Sequence, residues 1–189
     1  VTGKENTVIN SSKSLVAGHD NKEEEGDNNL VTGTKNVLYD NSGVMVGGEG
    51  NIVKLNNSVF TMGLTNDISN NTKYTIVGGT SNKVNRGLNG LVVGKTNNLK
   101  RGVNTVLLGE SQNVVDSSNV VISGESNKNT NDKNVLVSGK INDLSGNNVS
   151  VVFGLENTVV TTNNGLVSGY LTKVVDGSNN VVFGYLHDV

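Results

Sequence analysis

The 189 residues hold fifteen Lys and Arg against seventeen Asp and Glu, for a formal net charge of −2, and contain neither proline nor cysteine. Interspersed, nearly balanced charge offers no basic stripe for nucleic acid and no polybasic anchor for a membrane surface, and without cysteine there is no disulfide, zinc–thiolate site or thiol nucleophile. Apolar residues make up 34% and glycines number 24, an ordinary level for a folded chain, while no apolar run approaches the roughly 20 residues that span a bilayer.

Reading from Val1, which opens straight into folded-looking sequence as a fragment or mature passenger segment would, short apolar runs end in glycine again and again. The glycines are Gly3, Gly18, Gly33, Gly48, Gly63, Gly79, Gly94, Gly109, Gly124, Gly139, Gly154, Gly169 and Gly184, every interval being 15 residues except Gly63 to Gly79, which is 16. Other columns keep this register. Three before glycine (−3), every coil is apolar, from Leu15 and Leu30 to Leu166 and Val181; at −2 only Thr61 breaks the apolar column. Three after glycine (+3), asparagine recurs ten times, among them Asn6, Asn51 and Asn157; at +5 the column is apolar except for Glu23 and Asn129. A period this short leaves no room for a helical hairpin, and Val, Thr, Asn and Gly favour strands joined by turns.

Each unit therefore predicts one coil of an all-β solenoid. It holds a strand ending at glycine, a tight turn, a second short strand through +3 to +5, and a polar turn such as Tyr39 to Ser42. About thirteen coils, stacked at about 4.8 Å each, make residues 1–189 a single array roughly 60 Å long. The glycines read as structural and the asparagine column as a ladder of side-chain amides. Positions −3 and −2 are adjacent on a strand and point to opposite faces, so two apolar columns mean burial on both faces. One row fills the coil and the other needs a covering surface, which self-association supplies.

Three breaks follow in chain order. The second coil carries Lys22, Glu23, Glu24, Glu25 and Asp27, and Glu23 is expected to bulge into solvent. The extra residue falls between Leu64 and Tyr74, within the polar run that holds Asn70, Asn71 and Lys73. Near the C-terminus, +1 and +2 turn apolar at Leu155, Tyr170, Leu171, Tyr185 and Leu186, and asparagine at +3 gives way to Thr172 and His187.

The segments Asn104-Thr105-Val106-Leu107-Leu108-Gly109, Asn89 to Gly94, Asn119 to Gly124, Asn134 to Gly139 and Asn164 to Gly169 resemble the head repeat of trimeric autotransporter adhesins, the YadA-like heads, whose unit runs Asn-Ser-Val-Ala-Ile-Gly. The resemblance covers essentially the whole chain. It departs in a longer period, in valine at −2 where the family often has alanine, and in asparagine at +3 where the family has serine. It implies a left-handed parallel β-roll, a parallel homotrimer, and a neck, stalk and outer-membrane anchor beyond this segment. It also implies a place on the bacterial cell surface, where the head binds a host cell-surface glycoprotein or extracellular-matrix protein.

Within that reading, Leu155, Tyr170, Leu171, Tyr185 and Leu186 are the candidate receptor-binding residues. The alternatives are the loops of Glu23, Glu24, Glu25 and Asp27 and of Asn70, Asn71 and Lys73. A passive spacer or a self-association segment without a receptor site is the competing function. An enzyme is not expected: His19 and His187 lie far apart with no Ser/His/Asp grouping at either, no calcium-binding nonapeptide recurs, and no cofactor, metal, nucleic acid or direct membrane contact is implied.

Overall fold

In the computed structural model, residues 1–186 and 188 are described; His187 and Val189 lie outside them. The described residues form a parallel β-solenoid without a helix. A 13-stranded sheet collects the strands that carry the repeat glycines, and a 12-stranded sheet collects the shorter strands that follow, so the chain makes about twelve turns.

One coil shows why the sequence folds this way. Val103–Glu110 and Asn113–Val115 are its two strands, and Ser111, Asp116 and Asn119 have φ of 58°, 54° and 54°. These three left-handed corners give the coil three sides. The polar turn expected from the sequence is thus two corners flanking a short third side, where Ser12, Asp27, Ser42 and Asn57 bridge from coil to coil. Short polar side chains tolerate left-handed backbone best, which is why Asn, Asp and Ser crowd the corners.

Each residue faces its equivalent one coil on, as in Val92↔Leu107 and Leu107↔Ile122. The extra residue does not disturb this. Asn70 and Asn71 both take left-handed φ, 61° and 63°, so the corner absorbs the insertion and pairing resumes at Asn57↔Lys73 and Thr61↔Val77.

Strand alternation assigns the two apolar columns. The −2 row, including Val92, Leu107, Ile122 and Val137, is wholly inside the coil, where it meets the +5 row of Leu38, Leu99 and Leu144. The −3 row faces outward, leaving Leu15, Met45, Phe60, Ile76, Val121 and Leu136 exposed. The −1 row shares that face and adds Met62, Val93, Leu108, Phe153 and Phe183.

The repeat glycine has a steric reason. Gly109 sits at φ +121°, and a Cβ there would lie 2.0 Å from the carbonyl oxygen of Gly124 in the next coil. That same column of carbonyls anchors the asparagine ladder. Asn51 Nδ2 donates to the oxygens of Gly63 and Gly47 and to Asn36 Oδ1, all at 3.0 Å. Asn51 Oδ1 in turn accepts from the Asn66 backbone N–H at 3.0 Å and from Asn66 Nδ2 at 2.9 Å. The buried amide is therefore satisfied by backbone and by its own copies, which is what burial of a polar row requires.

Candidate interaction surfaces

The C-terminal residues are brought together as strand register dictates. Leu155 pairs with Tyr170 and Tyr170 with Tyr185, and the two tyrosine rings stack with centroids 5.2 Å apart. Tyr170 is half-buried, whereas Tyr185 is 68% exposed. Leu171 and Leu186 occupy the adjoining left-handed corner and are also exposed. The five side chains make an aromatic and aliphatic patch at one end of the array.

The acidic run behaves differently from expectation. Glu23 does not bulge into solvent: it sits in the strand Lys22–Glu24, and alternation turns it inward to 0% exposure. Its Oε1 accepts from Ser14 Oγ at 2.7 Å and Asn29 Nδ2 at 2.8 Å, while Oε2 has no partner. Room for it exists because position 26 is glycine, where a Cβ would come within 2.3 Å of Glu23 Oε1. Glu24 points outward and pairs with Lys22 at 2.8 Å. Glu25 takes a left-handed corner, and Asp27 bonds to Ser12 Oγ and to Asn28 Nδ2.

The two alternative loops, distant in sequence, line one trough. Along the third side of the first five coils runs a groove of about 690 Å³. Glu25 and Asp27 stand near one end, Asn71 and Lys73 at the other, with Asp40 and Asn57 between them. Asn70 is exposed at the same corner but does not line the trough. Tyr39, on the neighbouring face, has its phenol pKa raised, first by the Glu25 carboxylate and then by a hydrogen bond to it, so negative charge is concentrated here.

A second buried polar ladder, at +8, escaped the sequence reading. Asn41 Nδ2 donates to the Val53 oxygen at 2.7 Å, Asn56 Nδ2 to Ile68 at 2.9 Å and Asn147 Nδ2 to Val159 at 2.9 Å. Asp132 replaces the amide in this column. It is fully buried, its Oδ1 accepts from the Asn147 backbone N–H, its Oδ2 accepts from the Thr130 backbone N–H, and burial pushes its pKa up to about 6. Nearby, Asn129 stands in the apolar +5 row with neither amide atom partnered.

No family model and no curated protein matches the chain. Among the described residues no group of three or more His, Asp or Glu is placed to hold a metal ion. The structure presents three distinctive surfaces: the apolar face of the 13-stranded sheet, the tyrosine–leucine patch and the polar trough.

Proposed function

We propose that the chain is the head of a bacterial surface adhesin, a left-handed β-roll in which three parallel copies share their apolar faces. The head binds a host cell-surface glycoprotein or matrix protein. The observation that carries this reading is the continuous outward apolar −3 row, from Leu15 to Val181, widened at −1 by Met62, Val93, Leu108, Phe153 and Phe183. No helix of the described chain covers it, and a face of this extent exceeds what soluble monomers leave in water. Parallel copies of one chain offer it a matching face of equal length, and cyclic symmetry closes the assembly.

The tyrosine–leucine patch supports recognition over mere spacing, because tyrosine clustered on a rigid scaffold is typical of contact hot spots. Tyr170→Ala is the test, read by attachment to host cells and by melting temperature. Lost attachment at unchanged melting temperature marks a receptor patch. A lowered melting temperature marks packing against a neighbouring chain, and attachment that survives deletion of the whole head leaves a spacer. Sedimentation equilibrium tests the assembly: a well-folded monomer refutes the trimer.

A further inference from the structure

We propose that the trough along the first five coils binds a neutral, hydroxyl-rich oligosaccharide lying parallel to the solenoid axis. Two irregularities of the repeat meet there. The acidic second coil supplies Glu25 and Asp27, and the coil with the inserted residue supplies Asn71 and Lys73. The repeat alone does not produce this lining: the same corners in later coils are Arg86, Arg101 and Asp116, the last two paired with each other.

The chemistry of the lining selects the ligand. Carboxylates Glu25, Asp27 and Asp40 accept hydrogen bonds, carboxamides Asn57 and Asn71 both donate and accept, and Lys73 donates. A sugar hydroxyl is donor and acceptor at once, so it can use every one of these groups. The three carboxylates form no ion pair with Lys, Arg or His among the described residues, and Glu23 adds a buried acid directly behind Gly26 of the trough. Sulfated, sialylated or phosphate-bearing chains are thereby repelled. Leu55 is the single large apolar side chain in the lining, too little for an apolar anchor. The base is rigid, because the buried amides of Asn41 and Asn56 are committed to the +8 ladder. Coils repeat at about 4.8 Å, close to the length of one sugar residue in an extended chain, so successive rings meet successive coils.

The inference adds a site to the adhesin reading, at the opposite end of the array from the tyrosines, and does not depend on it. Soluble oligosaccharides titrated into the isolated chain report on the trough, whereas cell attachment reports on the adhesin. The experiment uses cellotetraose, maltotetraose, chitotetraose and lacto-N-neotetraose at millimolar concentration, with a heparin tetrasaccharide and tetralysine as contrasts. Binding is followed by calorimetry and by the side-chain amide NMR signals of Asn57 and Asn71. At least one neutral tetrasaccharide is expected to bind, to shift both amide signals and to hold its affinity in high salt. Asp27→Ala and Asp40→Asn should each weaken it about tenfold, since hydrogen bonds to charged groups are the stronger ones. Asp40→Asn sits at an exposed corner and keeps a residue that tolerates left-handed backbone, so it should leave the melting temperature unchanged. Failure of all four neutral sugars overturns the proposal, as does binding indifferent to both variants. Salt-sensitive binding of tetralysine in their place overturns it in favour of a basic peptide.

Discussion

Replacing Gly109 with alanine tests the stacking geometry most directly. The new Cβ would lie 2.0 Å from the Gly124 carbonyl oxygen and 3.0 Å from its carbon, against an ordinary contact that begins at 3.4 Å. The coils must part locally by more than an ångström. The hydrogen bonds lost as they part, including the Ser126 backbone N–H to Glu110 O at 2.9 Å, contribute about 1 kcal/mol each. Holding alanine at φ +121° adds about 1–3 kcal/mol of strain. The expected loss is about 3–5 kcal/mol, among the larger single-site effects known for globular chains. Gly146→Ala is the control: φ there is +69°, the nearest atom to a new Cβ is Thr161 Oγ1 at 3.6 Å, and only the left-handed penalty of about 1–2 kcal/mol remains. Urea titration followed by circular dichroism measures both, and hydrogen exchange maps the Gly109 damage to its own and neighbouring coils. Equal destabilisation by the two substitutions would refute the close-approach account of the glycine column.

Aspartate at adjacent residues should have opposite consequences. At Val137, wholly inside the coil, it buries an unpaired charge and should unfold the region at a cost of several kcal/mol; at Leu136, 38% exposed on the outer face, it should leave each coil folded but disperse the proposed trimer in sedimentation. Asp132 makes stability depend on pH: its folded pKa of about 6 lies above the usual 3.8, so the folded chain binds the proton more tightly. That contribution is fully present below pH 3.8, falls as pH rises towards 6 and is then lost, amounting to about 3 kcal/mol. Asp132→Asn, which restores the amide found at Asn41, Asn56 and Asn147, should stabilise the chain at pH 7 and abolish this slope in melts taken from pH 4 to 7. Deleting residues 110–124, one whole coil, should leave a shorter folded solenoid with a similar melting profile, whereas deleting 110–116 shifts every inward side chain out of register and should abolish folding.

How far the sequence could be read depended on how each column solves its steric problem. The glycine column admits one solution, since any Cβ meets the next carbonyl, so it recurs in every coil and is visible without a structure. Asparagine at +3 is nearly as constrained, because its side chain must reach both the next glycine carbonyl and the next amide. Gln112 shows the margin: its Oε1 still accepts from Asn127 at 3.1 Å, but its longer side chain leaves Nε2 buried without a partner. The +8 column was illegible because its solutions are many. Asn41, Ser117, Asp132 and Thr72 each offer an oxygen to the next backbone N–H, and Gly87 occupies the same place with no side chain at all. Glu23 was misread for a related reason. Charge stood in for exposure, although the compensating residues, Ser14, Gly26 and Asn29, sit in inward columns that could be identified only once −4 and +8 were known to point inside.

The same division into columns separates what the fold needs from what it can vary. Inward positions are tied to their copies one coil away, so a change there disturbs a ladder as well as a contact. Outward positions at +1, +2, +7 and +9 meet their copies through surface side-chain pairs that can be exchanged, which is why Tyr170 and Tyr185 can replace the ion pair that Lys95 and Glu110 make at 3.1 Å in the same +1 column without altering pairing. The tyrosine patch draws on +1 and +2 near the C-terminus, and the trough draws on +7 and +9 of the first five coils. The two surfaces share neither a column nor a coil. With coupling confined to neighbouring coils, substitutions in one should leave the other unchanged, so the two proposed sites would be free to vary independently on a single backbone.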